Sequence, residues 1–210
     1  MKPDMIFSQA ESEKIFFTSD THFDHENIIN FCKRPYSNIE EMNTELIKNW
    51  NNTVPKDSTV FHLGDFSFGG FQKWKSIRDK LNGKIILILG NHDMKNLQLS
   101  SEALFDKVYQ QMQIIIGGRR VILNHYPLLC YAGTYRVEDN LVYALSGHTH
   151  ISNILSKNTG KDFDRMNNMM PTQYDVGVDF NNFAPISWKE VNEKIGFQVK
   201  NKYNLSYWIK

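Results

Sequence analysis

The sequence predicts an α/β fold, on three observations. Short β-rich runs recur along the chain, helix-like segments separate the earlier ones, and several runs stop abruptly at an Asp, Asn or His. A length of 210 residues gives room for one sizeable core and little for a second, so a single domain over 1–210 is expected.

The opening "MKPDMIFSQAESEK" carries acidic residues and lacks the apolar core and cleavage site of a signal peptide. "KIFFTSD" from Lys14 reads as a strand. "SNIEEMNTELIKNWNNTV" from Ser37 reads as a helix, with Ser37 as cap and Glu40 three residues on. "STVFHLGD" from Ser58 is a second strand, and "FQKWKSIRDKLNG" from Phe71 a second helix with Gly83 as its stop. In "KIILILGN", Ile85 to Leu89 form a buried strand, and Gly90 then delivers the chain into Asn91, His92 and Asp93. "RRVILNH" from Arg119, "VYALSGH" from Val142 and "YDVGVDF" from Tyr174 make the last third strand-rich, and "FQVKNKY" from Phe197 reads as a final edge strand. The polar "KNTGKDFDRMNNMMPTQ", Lys157 to Gln173, reads as a mobile loop.

Composition narrows the function classes. Hydrophobic residues at 41% and charged residues at 22% describe an ordinary soluble protein. Lys and Arg number 24 against 23 Asp and Glu, so a net charge of +1 gives no bulk case for a nucleic-acid or membrane partner. Cys32 and Cys130 form no CxxC pattern and read as reduced thiols, which predicts a cytoplasmic protein.

Polar residues gather where strands end: "SDTH" (Ser19 to His22), "GD" (Gly64, Asp65), "GNHD" (Gly90 to Asp93), "NHYP" (Asn124 to Pro127) and "GHTH" (Gly147 to His150). Ligands of open α/β sheets bind beyond the carboxyl ends of strands, so these ends can face one crevice. Of the seven histidines, only His25 and His62 fall outside them. Asp20, His22, Asp65, Asn91, His125, His148 and His150 are the candidate ligands. Mixed N/O ligation without thiolate suits manganese, iron, zinc or nickel. Seven ligands exceed one tetrahedral ion and suit two divalent ions sharing a carboxylate, roughly 3.5–4 Å apart.

The ordered set Asp-x-His, Gly-Asp, Gly-Asn-His-Asp, His and Gly-His-x-His resembles the calcineurin-like metallophosphoesterases from about Ile15 to Asp179. "DTHFDHENIINFCKRPY" and "VFHLGDF" look like a compact bacterial or phage-type branch. The resemblance implies a four-layer α/β/β/α sandwich of two mixed sheets, with two metals at one rim. It puts Asp20, His22 and His150 on the first metal, Asn91, His125 and His148 on the second, and Asp65 between them. His92 becomes the catalytic histidine and Asp93 its orienting carboxylate. Many relatives carry an Arg shortly after Gly-Asp, and "GDFSFGG" has none.

The residue types fit phosphoester hydrolysis on chemical grounds as well. Two divalent ions bring a bridging water to hydroxide near neutral pH and hold the phosphoryl oxygens. Asn91 on a metal and His92 toward the leaving group divide ligation from proton donation, with Asp93 holding His92. Gly90 and Gly147 let the backbone turn sharply at the site without a side chain in the way.

Other positions keep two readings. Asp24, His25 and Asn27 either line the pocket or cap the helix near "HENIINF". Arg34 is the nearest candidate phosphate clamp, or a surface arginine. His62 reads as a core histidine, and Asp179 either supports the site or ends a strand. The function expected is hydrolysis of a small phosphoester, a diester before a monoester, manganese being the first choice of metal. A metal-binding scaffold without turnover, a phosphomonoesterase and a nuclease are the alternatives.

Overall fold

The computed structural model describes residues 2–93, 104–133, 141–150 and 169–202, and strand is present in all the predicted runs up to "YDVGVDF", of which only Tyr174 and Asp175 are strand. The elements are β1 (Met5–Phe7), a 3-10 turn (Glu11–Lys14), β2 (Ile15–Thr18), α1 (Glu26–Phe31), α2 (Ile39–Thr53), β3 (Thr59–His62), α3 (Phe71–Arg78), β4 (Lys84–Ile88), β5 (Lys107–Tyr109), β6 (Gln111–Ile116), β7 (Arg119–Asn124), β8 (Val142–Ser146), β9 (Gln173–Asp175), β10 (Ile186–Ser187) and α4 (Trp188–Lys202). They build two mixed sheets, in the orders β10-β2-β3-β4-β5 and β1-β6-β7-β8-β9. β2, β3 and β4 run parallel in the first, β7, β8 and β9 in the second.

The strands are apolar on both faces because both are covered. From β2 and β4, Ile15, Phe17, Ile86 and Ile88 pack with Ile114, Val121, Leu123 and Leu145 of the other sheet. The alternate residues Phe16, Ile85 and Leu87 pack with Met42, Leu46 and Trp50 of α2 and Trp74 and Ile77 of α3. The outer face of the second sheet carries a smaller cluster of Ile122, Tyr131, Val142 and Ala144.

Two helix boundaries and one element differ from expectation. α2 is capped by Asn38, whose side chain accepts from the Glu41 amide at 2.9 Å, while Glu41 reaches back to the Ser37 amide at 2.6 Å. The reciprocal cap therefore sits one residue after the Ser37–Glu40 pair. α3 ends at Arg78, ahead of Gly83, whose carbonyl accepts from the Arg78 guanidinium at 2.9 Å. "FQVKNK" is helix, not edge strand: Trp188, Val191 and Ile195 are buried, Val199 packs partly against them, and Phe197 points outward. Those spacings follow the helical period, and three alternating residues cannot outweigh them. Of the predicted loop, 157–168 lie outside the described residues, and Gln173 opens β9.

β2, β3, β4, β7 and β8 deliver their carboxyl ends to the segments that hold the polar motifs. Among the described residues no helix is long and apolar enough to cross a membrane.

Candidate metal centre

The loop after β2 supplies Asp20 and His22, the loop after β8 supplies His150, and these three offer ligand atoms within 4.8 Å of one another. Asp65 after β3, His125 after β7 and His148 after β8 form a second such trio. Asn91 joins it, with its Oδ1 3.0 Å from His125 Nε2. Asp65 stands between the trios: its Oδ2 is 3.5 Å from His22 Nε2 and 3.6 Å from His125 Nε2. Its Oδ1 accepts from the His92 amide at 2.9 Å, which fixes the carboxylate in that pose.

The backbone here is in unusual territory. Asp20, His22, Asp65, His148 and His150 have φ of 56°, 48°, 56°, 68° and 46°. Left-handed geometry is uncommon for such residues, and it clusters where surrounding structure over-determines it. Of the two uses expected of the glycines, the missing side chain is the one the site depends on, and not a left-handed turn. Gly90 and Gly147 are not left-handed; a Cβ on Gly90 would overlap Asp65 Oδ1 and the Asp65 amide, and one on Gly147 would overlap Asp20 Oδ2 and Ser19 Oγ. Space for two carboxylates is the requirement.

The polar atoms test whether these residues suit a cation. Asp20 Oδ1 and both ring nitrogens of His22 are buried without a hydrogen-bond partner. Burial pushes Asp20 up to about 6 and holds His22 well below its ordinary value, with the charge of His150 adding to the latter. Buried unpaired polar atoms are costly, and a divalent ion satisfies a carboxylate and neutral imidazoles together. The set fits a metal. Two candidate ligands also have one ring nitrogen engaged: His125 Nδ1 donates to the Leu63 carbonyl at 2.7 Å, and His150 Nδ1 lies 2.9 Å from Asp179 Oδ2. Each leaves Nε2 for a ligand.

His92 belongs to neither trio. Its side chain is 45% exposed at the mouth, with Nε2 4.0 Å from Asp65 Oδ2. Phe68 lies against it at 5.0 Å between ring centroids. Asp93 does not orient the His92 ring. It is fully buried and accepts from the amides of Asp65 at 2.8 Å, Phe66 at 3.0 Å and Gly90 at 2.8 Å, so it ties the ends of β3 and β4 together. Three converging N–H groups are stronger partners than one imidazole. Burial nevertheless pushes its carboxyl up to about 6, against the pull of those amides.

Arg34 is neither a phosphate clamp nor a surface residue. It is buried, and its Nε and Nη2 donate to Asp179 at 2.8 and 2.9 Å. The α1 to α2 connection carries it to the backbone carbonyls of Asp20 and Thr21. Asn27 is exposed on α1, outside both trios. Asp24 and Asn43 clasp each other, Asp24 Oδ1 accepting at 2.9 Å, and His25 occupies the cap position of α1 without a side-chain cap bond while its ring stacks on Phe68 at 4.0 Å. His62 is a core histidine bonded to Thr21 Oγ1 at 2.9 Å, and burial brings it down to about 3.

Several supporting residues carry no motif letter. Thr21 and Thr149, the middle residues of Asp-x-His and His-x-His, bond to the Phe66 carbonyl at 2.7 Å and to Asp175 at 2.5 Å. Cys32, in "NFCKRPY", groups with His150 and Asp179. A threonine at both middle positions was the available signal for the first two; nothing singled out Cys32.

The calcineurin-like phosphoesterase superfamily domain matches residues 14–163. The chain is 34% identical over 177 residues to "Uncharacterized protein MJ1445" of Methanocaldococcus jannaschii, covering 83% of this chain and 86% of that protein. It is 30% identical over 173 residues to the "Gene 66 protein" of Mycobacterium phage L5, covering 68% and 80%. Among solved structures, a "Protein of Unknown Function AQ665" from Aquifex aeolicus superimposes with a TM-score of 0.63 at 27% identity, covering 85% of this chain and 97% of that one.

Proposed function

Since the chain belongs to the calcineurin-like phosphoesterase superfamily, a family of metal-dependent phosphoester hydrolases, we propose that it is a binuclear phosphodiesterase acting on small diesters. The observation that carries this reading is Asp65 Oδ2 between His22 and His125, beside the unpartnered atoms of Asp20 and His22. Asp20, His22 and His150 would hold one ion, Asn91, His125 and His148 the other, and Asp65 would serve both. When bound, two divalent ions supply Lewis acidity toward phosphoryl oxygens and lower the pKa of the attacking water. Nitrogen and oxygen donors suit manganese first, with iron, zinc or nickel as substitutes.

His92, at the mouth and outside both trios, would donate the proton that the leaving alkoxide needs. The backbone of His92 is held there by its own amide, which donates to Asp65 Oδ1. A monoester dianion calls for an added cation, and the candidate, Arg34, is committed to Asp179. That commitment favours the diester. The two cysteines, one buried and one exposed, are both free thiols, which supports a reducing cytoplasmic setting.

The test is hydrolysis of bis(p-nitrophenyl) phosphate and p-nitrophenyl phosphate by metal-stripped protein reloaded with manganese, nickel, zinc or magnesium. The expected result is no turnover without metal and a higher kcat/KM for the diester with it. Preference for the monoester would return the function to a phosphatase. Full metal loading without turnover of either would favour a scaffold.

A further inference from the structure

We infer that Arg34 is the positioning residue for the first metal trio, acting on all three of its ligands through one buried guanidinium. Two of its contacts go to backbone: Nη2 donates to the Asp20 carbonyl at 2.7 Å and Nη1 to the Thr21 carbonyl at 2.9 Å. Those carbonyls belong to the two peptide groups that join Asp20 to His22, the segment where both ligands are left-handed. Two more, from Nε and Nη2, go to the two oxygens of Asp179, a fifth runs from Nη1 to Met42 Sδ at 3.5 Å, and Asp179 Oδ2 also meets His150 Nδ1 at 2.9 Å. Asp20 and His22 are thus fixed through their backbone and His150 through its ring.

The geometry needs arginine and not merely a cation. A planar guanidinium reaches a carboxylate with two donors and two carbonyls with the remaining edge, and an ammonium on a flexible stem does not span all four. No bond of this brace goes to the second trio itself; the trios meet where the His148 amide donates to Asp20 Oδ2 at 2.9 Å and the His22 amide to the Asp65 carbonyl at 3.0 Å. Asp65 is held by the His92 amide, His125 by the Leu63 carbonyl, and Asn91 and His148 meet His125 directly. Partners that orient ligands from behind set metal affinity, so the brace makes the affinity of the first site, and not the second, depend on Arg34.

This inference rests on the binuclear reading above, and its test reads Mn2+ binding by calorimetry without any turnover. His148→Ala leaves the first trio as the intact site, and His150→Ala leaves the second. Adding Arg34→Lys should weaken Mn2+ binding about 10–100-fold in the His148→Ala protein. In the His150→Ala protein it should change the dissociation constant by less than about twofold, which also shows that the lysine variant folds. Asp179→Asn in the His148→Ala background should weaken binding in the same direction through the other half of the brace. Equal weakening in both backgrounds, by unfolding or otherwise, would make Arg34 a general structural residue and overturn the assignment. Absence of Mn2+ binding in both single variants would overturn the binuclear reading along with it.

Discussion

His92 and Asp93 are neighbours with opposite fates, and the contrast decides what each substitution should do. The exposed ring of His92 belongs to neither ligand trio, so His92→Ala should keep both metals. Turnover of a diester with a poor leaving group should fall roughly 10²–10⁴-fold, the range for a lost general acid. The loss should be much smaller for a nitrophenyl ester, whose leaving group departs without a proton. Kinetics of both esters, with metal content measured on the same preparation, check this; equal losses would assign His92 a charge-stabilising role instead. The clustering of the candidate ligands was legible because each is a metal-binding residue type at a strand end. The roles of Asp93 and Arg34 were not. A carboxylate beside a histidine, or an arginine near a site, reads the same in sequence whether its partner is a ring, a phosphate or three backbone amides. Only the turn of the chain after β4 and the burial of the α1 to α2 connection choose among them.

At the level of elements, the strand ends place the ligands and the glycines keep the ends close. β3 and β4 are parallel neighbours, so Asp65 and Gly90 arrive side by side, and the missing side chain of Gly90 is where Asp65 Oδ1 sits. Gly90→Ala should therefore displace the carboxylate between the trios. The expected outcome is a stability loss of about 1–3 kcal/mol from overpacking, with fewer than two metals retained per chain. Denaturant unfolding with elemental analysis measures both, and an alanine variant with two metals and unchanged stability would show that this approach has room to spare. The strand runs were legible because they are continuous apolar segments bounded by turn residues, whereas α4 was misread. Its start carried a signal all the same: Ser187 and Glu190 form a reciprocal cap, with Ser187 Oγ accepting from the Glu190 amide at 3.3 Å and Glu190 accepting from the Ser187 amide at 3.1 Å. β5 and β6 had no predicted counterpart. β6 alternates buried and half-exposed positions after an exposed Gln111, and its polar Gln113 interrupts the apolar pattern that marked the other strands.

For the molecule as a whole, the two sheets bring β2, β3 and β4 from one side and β7 and β8 from the other, so that neither sheet alone holds a complete site. The first trio takes Asp20 and His22 from one sheet and His150 from the other; the second takes Asp65 from one and His125 and His148 from the other, with Asn91 of the first sheet beside it. The ordered motifs made that convergence readable before the topology was known, while the packing of α4 beside the shared core depends on tertiary contacts that no local pattern carries. The central claim is that this convergence holds two ions with Asp65 between them. Anomalous diffraction from crystals grown with Mn2+ tests it most directly. Two peaks about 3.5–4 Å apart are expected, one among Asp20, His22 and His150, the other among Asn91, His125 and His148, with Asp65 touching both. A single peak, or a peak among Cys32, His150 and Asp179 in place of the first, would contradict it.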